Sequence, residues 1–336
     1  MKTLRLKDDA NGIKIAAKIL QNGGVVAIPT ETVYGLAASA FNEEAVNKIF
    51  KAKGRPQDNP LIVHTCDLNM TRGIVEELSK DAEKLAEKFW PGPLTIILKR
   101  SEKIPSSVSA GLNTVAVRMP SNEVARKLIE VSGLPLAAPS ANISGAPSPT
   151  SAEHVLKDLD GKIDAIIVSD DCTVGVESTV ISLAVTPYRI LRPGFVTPDE
   201  IAEILPETVV DKAVLQELKS DEKAASPGMK YKHYSPKAVV YLVEGEKKAF
   251  CDFVNVKENS LSICFDEDLD SLNIKALSYG SINDTKKQAR TIFSILRKVD
   301  EMGIKTVYVH APKKEGIGLA VYNRLIRAAA FKVISL

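Results

Sequence analysis

The sequence of 336 residues has few cysteines, and their spacing is not typical of metal binding. Cys66, Cys172, Cys251 and Cys264 are scattered, and no pair forms C-x-x-C, which argues against a zinc knuckle or a dithiol redox motif. No apolar run approaches the roughly 20 residues that a membrane span needs. The first residues lack the apolar core of a secretory signal. We therefore expect a cytoplasmic protein with reduced thiols that does not enter a membrane.

A strong excess of charge of one sign is also missing. Lysine and arginine total 44 and acidic residues 42, so the formal net charge is +2. Such a chain has no global field that would draw it to nucleic acid, and any anion site must be local. The sequence contains no P-loop, H-E-x-x-H or G-x-S-x-G, and Gly316-Ile317-Gly318 begins a dinucleotide fingerprint without completing it.

The stretch from Lys51 to His64, KAKGRPQDNPLIVH, is read as a helix end, a tight basic loop and a buried strand. Lys53 and Arg55 lie in this loop beside a rigid proline. Cations on rigid flanks suit an anion such as phosphate. A solvated basic turn is the alternative, because charge runs usually face water.

Other polar side chains follow predicted strands. Thr32 comes after the strand Val25–Ile28, Arg118 ends an apolar strand, and Ser140 and Asn142 lie in the loop APSANISG. In an open α/β sheet, binding groups often gather at strand ends. We therefore predict an α/β fold with an anion-recognition site built from hydroxyls, amides and guanidiniums.

Single residues leave alternatives open. His64 could be a structural histidine, Arg118 an ordinary strand exit and Ser140 only a turn former. Glu31 and Glu177 lie near these loops, where either could act as a base or help hold a metal. Both could equally be surface acids.

The composition divides the chain. We predict a catalytic domain over residues 1–205, a polar linker over 206–237 and a small α/β domain over 238–336. Strand-like segments and two amphipathic helices in the last part indicate a Rossmann-like layer structure.

Four separated motifs occur in one order: PTETVYGL, the Lys53-Gly54-Arg55-Pro56 loop, APSANISG and Glu177-Ser178-Thr179-Val180. Together they resemble the YrdC-like threonylcarbamoyl-AMP synthase family over roughly residues 10–205. The segment KYKHYSP and the domain after it resemble the longer, two-domain branch. This resemblance implies a twisted open mixed sheet with helices in the first domain.

The resemblance also implies a reaction. A nucleotidyltransferase would make L-threonylcarbamoyladenylate and pyrophosphate from L-threonine, bicarbonate or CO2, and ATP with Mg²⁺. A partner transferase would pass the threonylcarbamoyl group to tRNA. The implied catalytic residues are Lys53, Arg55, Ser140 and Asn142. The implied threonine site is Thr32, His64, Arg118, Ala138 and Ser178. The implied ATP site is Arg55, Asn59, Thr114, Ser140, Ser148, Arg192 and Tyr234. No protein ligand to a metal is predicted.

Two other functions are considered. A double-stranded RNA-binding or ribosome-associated module would use a concave basic surface, which the near-zero net charge disfavours. Weak RNA binding beside catalysis stays open. Carbamoyl transfer, as in hydrogenase maturation factors, is not supported, because those proteins add acylphosphatase and zinc-finger segments and this chain has no C-x-x-C.

The segment from Ser226 to Pro236 places Tyr231, His233 and Tyr234 among lysines and prolines. We predict that it forms a lid over the nucleotide. The alternative is that these side chains only pack between the two domains.

Overall fold

The computed structural model of this protein describes residues 2–217 and 234–336. We call these two ranges the N-terminal unit and the C-terminal unit. In the described part of the chain, no helix is both long and apolar enough to cross a membrane. Tyr231 and His233, which the lid hypothesis involves, lie outside the described residues.

In the N-terminal unit, eleven strands of the described chain form one mixed sheet with the order β1-β8-β2-β3-β7-β4-β6-β5-β9-β10-β11. The strands are β1 Leu4–Lys7, β2 Val26–Ile28, β3 Gly35–Ser39, β4 Ile62–His64, β5 Leu94–Lys99, β6 Thr114–Arg118, β7 Leu136–Ala137, β8 Ala165–Val168, β9 Thr179–Ser182, β10 Arg189–Arg192 and β11 Val209–Val210. The helices are α1 Ala10–Gln21, α2 Glu43–Lys53, α3 Leu68–Arg72, α4 Lys80–Phe89, α5 Ser106–Ser109, α6 Glu123–Ser132, α7 Ala152–Leu159 and α8 Pro198–Ala202.

Helices cover both faces of this sheet. On one face, the buried apolar residues of α1 and α6 pack on β2, β3, β7 and β8. On the other face, α2, α4 and α7 cover a larger apolar cluster. The short strands around the centre of the sheet, β2, β3, β4 and β7, are buried along their whole length, which keeps their ends rigid.

Capping residues set several element boundaries. Asn42 caps α2 by accepting a hydrogen bond from the Ala45 amide at 3.0 Å. The helix ends at Gly54, whose φ of 60° is left-handed and suits glycine. Thr197 and Glu200 form a capping box at the start of α8. The first sheet also includes β11, and a 3-10 helix follows it over Lys212–Val214; both lie in the range that the composition assigned to a linker.

The C-terminal unit contains a second, all-parallel sheet with the order β14-β13-β15-β12-β16. Its strands are β12 Val239–Glu244, β13 Leu261–Cys264, β14 Ala276–Ser278, β15 Thr306–His310 and β16 Val333–Ser335. Its helices are α9 Lys247–Asn255, α10 Thr285–Glu301 and α11 Gly316–Ala328, and a 3-10 helix spans Asp266–Ser271. The predicted combination of a mixed α/β sheet with a smaller α/β unit is confirmed.

The two units share an apolar core. Val33, Val174 and Val176 of the N-terminal unit belong to the same buried cluster as Phe293 and Val321 of the C-terminal unit. We call this contact between the two units the seam. Gly175, with a φ of +83°, lies in it. A Cβ atom there would lie 2.3 Å from Arg290 Cα and 2.6 Å from the Ala289 carbonyl oxygen. The backbones of the two units therefore touch directly.

Candidate active site

A cavity opens among the strand ends of the N-terminal unit. Its polar lining is formed by Thr30, Thr32, Arg55, His64, Arg118, Ser140, Glu177, Ser178, Arg192 and Tyr234. Val33, Gly35, Ile62, Ala138 and Pro139 supply the rest of its surface.

One end of the cavity is built on two neighbouring parallel strands. His64 at the end of β4 pairs in register with Arg118 at the end of β6, so both side chains reach the same edge. Arg118 Nη1 donates to Thr32 Oγ1 at 2.9 Å, and Arg118 Nε donates to the Gly92 carbonyl at 3.3 Å. Thr30 Oγ1 lies 2.9 Å from Thr32 Oγ1 and holds the turn. We call this region the Arg118 end.

Arg118 also forms a buried ion pair with Glu31, with 2.7 Å between Nη2 and Oε1. The contact is not aligned as a good hydrogen bond. Burial would raise the pKa of Glu31, but the charge of Arg118 and nearby hydrogen bonds outweigh it, so the pKa is lowered. A guanidinium carries five N–H donors, so Arg118 retains donors for a second carboxylate.

His64 is neutral at this end. Burial, and next the positive charge of Arg118, lower its pKa to about 3. In the described part of the chain its Nδ1 atom is buried and has no hydrogen-bond partner. A neutral imidazole beside Arg118 adds a polar group without adding repulsion between cations.

A second part of the cavity lining contains two fixed arginines, Arg55 and Arg192. Arg55 Nη2 donates to the Asn59 and Pro60 carbonyls at 3.3 and 3.1 Å. Arg192, the last residue of β10, donates to the Ser178 carbonyl at 3.0 Å and to Ser178 Oγ at 3.1 Å. Burial lowers the pKa of Arg55 to about 10, which leaves it cationic at neutral pH. We call this region the Arg55 end; its preorganised charges suit a phosphate.

Lys53 supports the cavity wall from behind. Its Nζ donates to the Ser140 and Asn142 carbonyls, each at 2.5 Å, and lies 3.4 Å from Asn142 Oδ1. Burial, and next the charge of Arg55, lower its pKa. Asn142 in turn accepts from Ser140 Oγ at 2.6 Å and donates to the Ile143 and Ala146 carbonyls. The two cations of the predicted basic pair therefore have different positions. Arg55 lines the cavity, whereas Lys53 holds the loop that carries Ser140.

Glu177 is a carboxylate in the cavity wall and is held by both units. Its Oε1 accepts a short hydrogen bond from Ser148 Oγ, and its Oε2 accepts from Arg324 Nε of α11 at 2.6 Å. Burial would raise the pKa of Glu177, but the charges of Arg324 and Arg192 lower it. Tyr234 completes this side, with its ring centroid 5.2 Å from that of Phe293 and 5.5 Å from the Arg324 guanidinium carbon.

The cavity brings together most of the residues named from sequence, although their separate roles stay predictions. Those that line it are Thr32, Arg55, His64, Arg118, Ala138, Ser140, Ser178, Arg192 and Tyr234. Those outside its lining are Lys53, Asn59, Thr114, Asn142 and Ser148. Asn59 is buried beside Arg55, and Ser148 is buried behind Glu177. Thr114 begins β6, about 13 Å of strand away from Arg118.

No metal centre is visible in the described ranges, because they contain no group of three or more histidine, cysteine, aspartate or glutamate residues that could hold an ion. Each of the two candidate carboxylates, Glu31 and Glu177, is paired with an arginine. These residues do not form a cage for Mg²⁺.

Sequence reasoning missed Arg324. The partners Glu177 and Arg324 are separated by 147 positions along the chain, and no local motif links them. The only available signal was that α11 carries arginines at positions 324 and 327 within a largely apolar helix.

A rigid α/β scaffold with fixed arginines and hydroxyls at strand ends defines a protein that binds small anionic ligands. Residues 18–194 match the family model Sua5_yciO_yrdC, described as telomere recombination. Residues 196–330 match the model described as threonylcarbamoyl-AMP synthase, C-terminal domain. The chain belongs to the threonylcarbamoyl-AMP synthase family, in its two-domain Sua5 branch.

Individual relatives agree with this assignment. The threonylcarbamoyl-AMP synthase of Pyrococcus abyssi is 46% identical over 329 residues, which cover 96% of this chain and 95% of the relative. That of Bacillus subtilis is 41% identical and covers 95% and 93%. A crystal structure of P. abyssi Sua5 complexed with L-threonine superimposes with a TM-score of 0.90 at 41% identity, covering 100% of this chain and 99% of that one.

Proposed function

We propose that this chain is a nucleotidyltransferase that makes L-threonylcarbamoyladenylate and pyrophosphate from L-threonine, bicarbonate or CO2, and ATP. The observation that carries the proposal is one cavity with two differently built ends. The Arg118 end offers a guanidinium with hydroxyls beside it, which suits an amino-acid carboxylate. The Arg55 end offers two buried guanidiniums, which suit phosphates.

The proposed chemistry needs little more than position and charge. The threonine amine takes up CO2, and a carbamate oxygen then attacks the α-phosphorus of ATP. The bond from that phosphorus to the bridging oxygen breaks, and pyrophosphate leaves. Arg55 and Arg192 are already held by backbone carbonyls, so they would stabilise the developing phosphate charge with little reorganisation.

Residue roles follow this division. Thr32, His64, Arg118, Ala138 and Ser178 would surround threonine and its carbamate. Arg55, Ser140, Arg192 and Tyr234 would contact ATP, with Asn59, Thr114 and Ser148 nearby as the resemblance implies. Lys53 and Asn142 would fix the loop that presents Ser140. The buried sheet beneath would keep water from the reactive carbamate.

Several parts of the proposal reach beyond the chain itself. Mg²⁺ would accompany ATP, and bicarbonate or CO2 would enter as the third substrate. A tRNA threonylcarbamoyl transferase would take the adenylate onward, and weak RNA binding would help only in that delivery. A cytoplasmic location fits a product that is destined for tRNA.

The test is pyrophosphate release with each substrate omitted in turn. We expect release that depends on threonine, on bicarbonate and on ATP together. Equal release without threonine would refute the proposal. RNA binding with a steep salt dependence, combined with no release at all, would instead favour the RNA-binding module.

A further inference from the structure

Glu177 poses an electrostatic problem inside a cavity that takes phosphates. The residue is 7% exposed and lines the same cavity as Arg55 and Arg192. An unpaired anion there would repel an incoming nucleotide and compete for the two arginines. The site can bind ATP only if this charge is neutralised and pointed elsewhere.

Arg324 of the C-terminal unit neutralises this charge. Its side chain is fully buried, and its Nε lies 2.6 Å from Glu177 Oε2. Its Nη2 also donates to the Glu177 carbonyl at 3.3 Å, and Asn323 Oδ1 accepts from Nη1 at 2.8 Å. The guanidinium therefore grips both the side chain and the backbone of Glu177, and its neighbour on α11 fixes the orientation.

The same guanidinium reaches a second strand end. Nη1 donates to the Pro193 carbonyl at 3.0 Å. Glu177 directly precedes Ser178, and Pro193 directly follows Arg192, so Arg324 is bonded next to two residues of the cavity lining. These two chain segments are in close contact, because a Cβ on Gly194 would lie 2.3 Å from the Thr179 amide nitrogen.

We propose that Arg324 is a positioning residue for nucleotide binding, through which the C-terminal unit completes the Arg55 end of the site. It cancels the charge of Glu177, turns that carboxylate towards Ser148 and α11, and holds the backbone beside Ser178 and Arg192. The inference rests on the proposed function, since it assigns the Arg55 end to ATP.

A matched control exists in the same seam. Arg297 of α10 forms a bidentate pair with Asp158 of the N-terminal unit, at 3.1 and 2.8 Å, and also donates to the Pro147 carbonyl at 2.5 Å. This pair is buried and joins the two units as Arg324 and Glu177 do, but neither residue lines the cavity. Replacing Arg297 therefore reports what loss of a buried inter-unit ion pair does by itself.

The experiment compares R324Q, R324K, E177Q, the double variant E177Q/R324Q and R297Q. Pyrophosphate release gives KM for ATP and for threonine, and thermal unfolding gives stability. We expect R324Q to raise the KM for ATP about 30-fold or more, the effect of truncating one partner of a buried charge pair. The KM for threonine should change less than the KM for ATP, because Arg324 reaches the threonine-site residue Ser178 only through the backbone of Glu177. R324K keeps the positive charge but loses the planar guanidinium with its several donors. Its KM for ATP should therefore lie between those of the wild type and R324Q.

The double variant decides the mechanism. E177Q removes the buried carboxylate charge that R324Q leaves unpaired. The KM of E177Q/R324Q for ATP should therefore be at least about tenfold lower than that of R324Q. If R324Q does not fold, the double variant, which has no buried unpaired charge, should fold and bind ATP within a few-fold of E177Q. R297Q should lower the melting temperature without changing the KM for ATP.

Three results would overturn the inference: equal shifts of both KM values in R324Q, no recovery in the double variant, or an ATP defect in R297Q that matches R324Q. If wild-type protein releases no pyrophosphate, the proposed function fails by itself. Calorimetric titration of the same variants with ATP then decides the role of Arg324, with the same expected order.

Discussion

The two ends of the cavity are built in different ways. At the Arg118 end, every described partner of Arg118 belongs to the N-terminal unit: Thr32, Glu31 and Gly92. At the Arg55 end, the wall includes Tyr234 of the C-terminal unit and Glu177, whose carboxylate is held by Arg324 of the C-terminal unit. One end is therefore complete within one unit, whereas the other is assembled from two. Substitutions that separate threonine binding from ATP binding test this difference.

The largest effect is expected at Arg55. Arg55→Ala removes a preorganised guanidinium from the assembled end and should lower turnover by about 10²-fold or more. Arg189→Ala is the control, because Arg189 also ends in a guanidinium but pairs with Asp211 with its side chain 42% exposed. Steady-state pyrophosphate release measures both variants. Near-normal turnover of Arg55→Ala would remove the central role given to this end.

Arg118→Ala should give the next largest effect, and on the other substrate. A guanidinium–carboxylate contact contributes about 1.5–3 kcal/mol, so threonine affinity should fall about 10- to 150-fold while ATP affinity changes little. Isothermal titration with each substrate makes the comparison.

Arg118→Ala also leaves the buried carboxylate of Glu31 without its ion-pair partner. The double variant Glu31→Gln/Arg118→Ala is therefore the control for folding. It should regain stability but not threonine affinity. A loss that falls mainly on ATP would mean that the two ends are assigned in reverse.

Lys53 should behave as a support rather than as a phosphate ligand. Lys53→Met keeps the length of the side chain but leaves the Ser140 and Asn142 carbonyls without their donor. We expect a loss of about 1–3 kcal/mol in unfolding free energy. Turnover should fall less than about tenfold, because Arg55 remains in place. Urea unfolding and turnover are measured on the same sample; a hundredfold loss of turnover at unchanged stability would instead place Lys53 among the phosphate ligands.

His64 should give the smallest effect, and only with pH. Its folded pKa of about 3 lies below the ordinary value of about 6.5. Between these values the unfolded chain binds the proton and the folded chain does not. The contribution of His64 to stability is therefore complete above pH 6.5 and is lost as pH falls, by up to about 1.4 kcal/mol per unit.

His64→Gln should flatten the decline in unfolding free energy between pH 6.5 and 5, as measured by urea denaturation. His154→Gln is a useful comparison, since burial lowers the pKa of His154 to about 4 at a site outside the cavity lining. An unchanged slope in His64→Gln would mean that His64 is charged in the folded protein.

Much of the Arg118 end was predictable because its residues follow apolar strands. His64 and Arg118 end the parallel neighbours β4 and β6, so they meet at one edge of the sheet. Thr32 instead lies in the turn between β2 and β3, and it meets Arg118 through its side chain. The division between Lys53 and Arg55 was not predictable, since both are cations in one short loop. Only the three-dimensional structure shows that the chain after Gly54 turns one cation towards the cavity and buries the other against APSANISG.

The part of the site shared between the two units was the least visible in the sequence. Glu177 was noted as a nearby acid that could be a base, a metal ligand or a surface group. Its observed partners are Arg324 and Ser148, and contacts over such separations depend on how the two units pack. Sequence patterns predict contacts within one helix, strand or loop. They do not predict which residues of the N-terminal unit pack against a helix of the C-terminal unit.

The close approach at Gly175 limits how far the two halves of this chain can be exchanged with those of relatives. The seam leaves no room for a single methyl group against the backbone of α10. A chimera that takes its N-terminal half from another member of the family therefore keeps a compatible seam only if that half has a glycine at this position. The two halves are therefore coupled by direct backbone contact, although each contains its own sheet.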